Sequence, residues 1–324
     1  MKNKSNQYRM ERYKLILLAL IICVVAILFI GKGLTLNNYE YFLYRRVPKV
    51  LAIVLTGTSI ALSSVVFQTI THNRILTPNV LGLDAVYTFV QTLIVFSLGT
   101  RMGFQAGTTR NFILTLMVML LFSTFFYKIL FGKHTRNIML LVLMGMVMGT
   151  FFGSISDAMQ FLMDPNEFLN LQSLMFASFN RMQIGLLLPA SILLIVALVY
   201  MAKDIKYLDV ISLGREQAIN LGVDYDRIIR KMLLVISALV SISTALVGPI
   251  TFLGILVSNL ARGLMKTYRH HYLMTAAALI SVASLLIGQF LIERVLGFNV
   301  MLSMVINLIG GIYFLYLLLK EGAV

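Results

Sequence analysis

Long apolar runs broken by short polar or basic stretches recur from one end of the chain to the other. A run of about twenty such residues crosses roughly 30 Å of hydrocarbon as a helix. The pattern predicts ten spans, over residues 15–30, 48–68, 80–99, 112–131, 138–159, 184–202, 230–247, 249–266, 272–291 and 301–319. A membrane β-barrel would need short alternating segments instead. The expected fold class is all-α: a polytopic membrane protein of about ten transmembrane helices, in a single domain over residues 1–324. Span eight is short, and Gly248-Pro249 separates it from span seven. Proline suits the first turn of a new helix, so a tight hairpin or a re-entrant segment fits there.

Three polar stretches have more shape than a simple connector needs. In THNRILTPNVLGLD, Pro78 biases Thr77 to an extended conformation and Gly82 permits a turn. DPNEFLNLQSLMFASFNRMQ carries apolar residues at helical spacing and predicts a short surface helix. The third, LDVISLGREQAINLGVDYDR, lies in the loop over residues 203–229. Ser212 is placed to cap a short helix there, with Glu216 in the first turn and Gly222 as its stop. Gly214, Ala218 and Gly222 fall at i, i+4 and i+8 and predict one flat face. Leu213, Ile219 and Leu221 are apolar yet lie outside the bilayer. The segment reads as a docking element or as a helix lying on lipid headgroups.

Composition agrees with the pattern. The chain is 59% hydrophobic and 12% charged, against about 25% charged in a soluble domain. Its net charge of +14 in a soluble protein would suggest nucleic acid. Here the basic residues flank apolar runs, so membrane orientation explains them and no nucleic acid is expected. With the N-terminus (residues 1–14) inside, nineteen Lys and Arg fall on the inner side and eight on the outer. Both ends and the 203–229 loop are then cytoplasmic. Arg45, Arg46 and Lys49 crowd the start of span two and Arg294 ends span nine. They are either helix-end anchors that snorkel or an outward basic patch for an acidic partner. The basic start followed by an apolar run resembles a signal peptide without a cleavage site, and an uncleaved first span is expected. Cys23, the single cysteine, reads as a buried inert thiol. The four histidines lack ligand spacing, and His270-His271 reads as a polar loop rather than a metal site.

All thirteen Asp and Glu residues lie in loops or near span ends. An ion-coupled carrier usually needs a buried acid, and a membrane-embedded enzyme needs a cluster of nucleophile, base or metal ligands. Neither pattern is found. No G-x-x-x-x-G-K-[ST] phosphate loop occurs, so ATP, if it drives this protein, binds another subunit. Gly145, Gly149 and Gly153 make a smooth ridge on span five, suited to close packing or to lining a path.

Five motifs resemble the permease family of ABC importers for iron–siderophores, haem and cobalamin. They are Arg46-Val47-Pro48-Lys49, Gln68 with NRILTPNVLG, Leu213-Gly214 with Ala218 and Leu221-Gly222-Val223, GPITFLGILVSNLAR, and LIGGIYFLYLLLK. The departures are Arg74 where the family often has proline, Ser258-Asn259 for Pro-His, and Gly311-Ile312 for Ala-Pro. The resemblance implies the type II importer architecture and no cofactor or metal on the chain itself. It implies a second permease subunit, two ABC ATPases that bind ATP with magnesium, and an extracytoplasmic binding protein that delivers an iron chelate. Haem and cobalamin are the alternative cargoes. By the same resemblance Leu213, Gly214, Gln217, Ala218, Leu221, Gly222 and Val223 contact the ATPase. Arg46, Lys49 and Arg294 dock the binding protein, and Thr135, Arg136 and Asn137 lie near a cytoplasmic gate. The location implied is a bacterial cytoplasmic membrane.

Overall fold

The computed structural model describes residues 2–32, 39–98, 108–130, 138–295, 297 and 300–321. These form helices α1 (Lys2–Gly31), α2 (Tyr39–Thr71), α3 (Leu83–Leu98), α4 (Thr109–Leu130), α5 (Ile138–Phe161), α6 (Pro165–Leu174) and α7 (Leu187–Ala202). They continue with α8 (Ile205–Ile211), α9 (Arg215–Asn220), α10 (Tyr225–Val247), α11 (Leu253–Leu264), α12 (His270–Arg294) and α13 (Leu302–Glu321). Two 3-10 turns, Pro78–Leu81 and Ile184–Leu186, precede α3 and α7. No strand occurs among the described residues.

Eight helices among the described residues are long and apolar enough to cross a membrane. The other two expected spans, 80–99 and 249–266, are shorter helices, a correction with a local cause. Pro78 opens a 3-10 turn that ends on Gly82 at φ +80°, and α3 starts only after it. Between α10 and α11, residues 248–252 stay non-helical, so Pro249 precedes the helix instead of sitting in its first turn. The 12 residues of α11 span about 18 Å, well short of the hydrocarbon core. Irregular backbone at membrane depth survives only inside protein, and here the two interruptions lie together. Asn79 Nδ2 donates to the Thr251 carbonyl at 3.5 Å. Gly82 lies against α5: a Cβ on Gly145 would come within 2.5 Å of the Val80 oxygen and 2.8 Å of Leu81 Cα. Gly145 and Gly149 are therefore packing positions, while Gly153 faces open space.

Helices α2 and α10 form the centre, and most of each is buried. At the periphery α1 turns Leu17, Leu20, Val24 and Ile27 outward, where hydrocarbon would solvate them. Cys23 is on this exposed surface and not in the core as expected. Buried polar groups tie helices together. Gln91 on α3 bonds Asn111 and Thr115 on α4, each at 2.9 Å, and Tyr127 on α4 meets Ser237 on α10 at 2.6 Å. The short helix expected between spans five and six is α6, capped by the Asp164 side chain on the Asn166 amide.

Polar contacts sort the ends of the bundle. At one end Lys14 donates to the Leu264 carbonyl (2.8 Å) and Glu11 accepts from the Lys266 amide (3.3 Å). At the other, Lys49 pairs with Glu293 at 2.8 Å. Residues that share an end here are those that the charge pattern groups on one side.

Adding a methyl at Gly145 forces backbone apart. Gly145→Ala should cost about 1–3 kcal/mol, read as a lower thermal midpoint of the detergent-purified chain. Gly153→Ala should leave that midpoint unchanged.

Candidate functional site

At the end that holds Glu11 and Lys266, α8 and α9 form a compact knuckle between α7 and α10. Asp204, just before α8, pairs with Lys231 of α10. Leu208 and Ile211 of α8 are fully buried. Ser212 does not cap α9. It ends α8, its hydroxyl donating to the Asp209 carbonyl at 2.7 Å. The residue before α9 is Gly214, at φ +110°. The far end closes as the sequence predicts: Gly222 is left-handed at φ +81°. Its amide donates to the Ile219 carbonyl (2.9 Å), and the Val223 amide to that of Ala218 (3.0 Å). This paired closure satisfies two carbonyls that a helix end leaves open.

The expected flat face divides in two. Ala218 is buried, as is Val223 beyond it, while Gly214 is half-buried and Gly222 exposed. Leu213, Ile219 and Leu221 are 59%, 47% and 64% exposed, with Arg215, Glu216 and Gln217 also outward. An apolar cluster displayed outside the spanning region marks a protein or membrane contact.

The knuckle is tied to the spanning helices by a residue that sequence reasoning missed. His270 begins α12 and is 3% exposed, not a surface loop. Its ring Nδ1 lies 2.6 Å from Asp209 Oδ1 on α8, which also accepts the His270 amide at 2.8 Å. The other ring nitrogen, Nε2, lies 2.9 Å from the Thr69 hydroxyl on α2. One imidazole thus joins α8, α12 and α2. Burial alone raises the Asp209 pKa. The ring and backbone bonds from His270, with the charges of His270 and His271, outweigh burial and hold it below its ordinary 3.8. The sequence signal was faint: a His at a span start and an Asp in another loop of the same end, 61 residues apart.

Arg46, Lys49 and Arg294 all lie at the opposite end, each with its own contacts. Arg46 is 6% exposed. Its Nη1 donates to the carbonyls of Ile30 (2.6 Å) and Lys32 (2.8 Å) at the end of α1. A cation there offsets the negative helix end. Arg294 Nη2 reaches the same Lys32 carbonyl at 2.8 Å, from an exposed position. Lys49 is held by Glu293. Thr135, Arg136 and Asn137 lie outside the described residues. Two of the sequence departures touch: Asn259 Nδ2 donates to the Arg74 carbonyl at 3.1 Å.

The profile of the FecCD transport family matches residues 15–320. The petrobactin import system permease protein YclO of Bacillus subtilis is 51% identical over 302 residues, 93% of this chain and 95% of the relative. FatC of Bacillus anthracis, also a petrobactin import system permease, is 34% identical over 86% of this chain and 79% of its own. A solved ABC transporter assigned to the metal-chelate type, in an inward-facing conformation, superposes with a TM-score of 0.82. It is 21% identical and covers 96% of this chain and 99% of its own. The chain belongs to the FecCD transport family, and its fold is that of an ABC importer permease.

Because the Asp209 pKa is lowered, its tie stabilises the fold above pH 3.8 and is lost as pH falls further and the carboxylate protonates. Asp209→Asn should therefore lower the thermal midpoint at neutral pH. The gap to wild type should persist down to about pH 4 and close below it.

Proposed function

We propose that this chain is the membrane-spanning permease subunit of an ATP-driven importer for a ferric siderophore. The observation that carries this reading is the knuckle: a short helix, apolar outward and locked inward to two spanning helices. A separate ATPase, holding ATP and magnesium, docks on Leu213, Ile219 and Leu221. Ala218 and Val223 lie beneath that contact, Gly214 and Gly222 shape the two ends of the helix, and Gln217 stands beside the contact on the surface. Motion of the ATPase passes through Asp209 and His270 into α12 and α2, because a short rigid element transmits displacement where a loose loop would absorb it. A second permease subunit completes the path. The likeness to YclO and FatC over most of each chain supports a petrobactin-like ferric chelate as the cargo.

A binding protein that delivers the chelate meets the opposite end at exposed Arg294, with Arg46 and Lys49 holding the ground beneath it. The charge pattern supports a bacterial cytoplasmic membrane with both termini cytoplasmic. The permease itself performs no hydrolysis.

Ile219→Asp with Leu221→Asp should cut uptake of labelled ferric petrobactin roughly tenfold or more while the protein still inserts. Uptake at the wild-type rate would remove the docking role. Uptake into liposomes that hold this chain alone, with no ATPase, would sink the reading as a whole. Arg294→Glu should weaken binding-protein association more at low salt than at high salt, measured by pull-down in both. Equal loss at the two salt levels would count against a surface charge contact.

A further inference from the structure

The end that carries the knuckle also holds a polar cavity beside the His270–Thr69 tie, and the proposed transport role assigns it no ligand. Its volume is about 430 Å3, and its lining includes Gln68, His72, Arg74, Arg262, Thr267 and Tyr268. Helix ends fix its depth. α2 stops at Thr71, α11 stops at Leu264, and α12 starts at His270. Since α2 and α12 span the membrane, the cavity sits at the boundary where lipid phosphates lie.

Its chemistry is one-sided. No carboxylate is among its lining residues that the structure describes. The positive charge of Arg74 acts on Arg262, so two guanidiniums share the space. Arg262 Nε is buried without a hydrogen-bond partner among the described residues, a costly state for a charged donor. Gln68, 2% exposed, leaves Oε1 unpartnered among the described residues as well. Meanwhile Gln68 Nε2 and Asn259 Nδ2 both donate to the Arg74 carbonyl, at 2.8 and 3.1 Å. The Arg74 backbone is thus pinned from α2 and α11, while its side chain is exposed. At the rim His72 has φ +50°, the one left-handed non-glycine among the described residues. Such strain gathers where a ligand is clamped.

We propose that this cavity binds a phosphate-type oxyanion between Arg74 and Arg262, either free phosphate or the headgroup phosphate of an anionic lipid. Guanidinium forks match phosphate oxygens two bonds at a time. The anion supplies the missing acceptor for Arg262 Nε and a counter-charge for both side chains. A basic pocket between spanning helices at headgroup depth suits a lipid phosphate. Bound there, the anion would bridge the loop after α2 to α11, beside Ser212 at the base of the knuckle. The inference holds whatever the cargo.

The test uses the full chain, delipidated in neutral detergent, with thermal unfolding as readout. Phosphatidylglycerol, phosphatidylcholine and inorganic phosphate are titrated separately. The midpoint should rise with phosphatidylglycerol and not with phosphatidylcholine. A rise with inorganic phosphate as well identifies a free-anion site, and a need for phosphatidylglycerol identifies a lipid site. In either case Arg74→Gln with Arg262→Gln should weaken the apparent affinity roughly tenfold or more. If the double variant does not fold, Arg74→Gln alone carries the test, since that side chain is exposed. A response that the substitutions leave intact overturns the proposal. So does a wild-type chain that answers to neither probe, which would assign the arginines to acidic side chains of a partner protein.

Discussion

Backbone amides and carbonyls find no partner in hydrocarbon, and this constraint orders the whole bundle. The chain breaks its helices twice within the membrane region, before α3 and before α11. Each break leaves peptide groups that lipid cannot satisfy. The fold answers by placing the breaks against each other and enclosing them. α5 supplies a side-chain-free strip at Gly145 and Gly149 so that the first break can approach its backbone. Gly254 of α11 approaches Ser64 of α2, and Gly310 of α13 approaches Phe252 beside the second break. Small residues appear where backbone must come close, and for that reason.

Around this enclosed centre α12 acts as a rod. Its 25 residues extend about 37 Å. At one end His270 holds Asp209 of the knuckle and meets Thr69 of α2. At the other end Glu293 holds Lys49 of α2, and Arg294 reaches the end of α1. A displacement of α8 thus has a continuous polar and helical route to the opposite face. The two ends that meet other subunits in the proposed importer belong to one rigid element.

The sequence made the spans legible because lipid imposes one rule on every residue that faces it. Eight of ten followed from length and hydropathy, and the other two were marked by Pro78, Gly82 and Gly248-Pro249. The stop at Gly222 was readable because a left-handed helix end favours glycine. Pairings distant in sequence were not readable. Asp209 and His270 are 61 residues apart, and Glu11 and Lys266 are 255 apart; no local pattern connects them. Facing was also hidden. A flat strip of Gly214, Ala218 and Gly222 suits an outward contact and an inward one equally, and only the fold turned Ala218 inside. The contacts of Arg46 were hidden for a similar reason: a cation near a helix end can face a partner or cap its neighbour, and only the fold shows that it reaches the end of α1.

The shortness of α11 bears on how the protein is made. A 12-residue helix has no stable depth of its own in a bilayer, and its preceding strand of open backbone has none either. Neither can be released sideways into lipid as an independent unit during synthesis. α11 packs on α2, which precedes it, but also on α12 and α13, which follow it, so its seat is complete only when α13 emerges and Gly310 closes on Phe252 at its start. Membrane integration of this chain is therefore not a queue of single helices. It ends with a cooperative step late in translation.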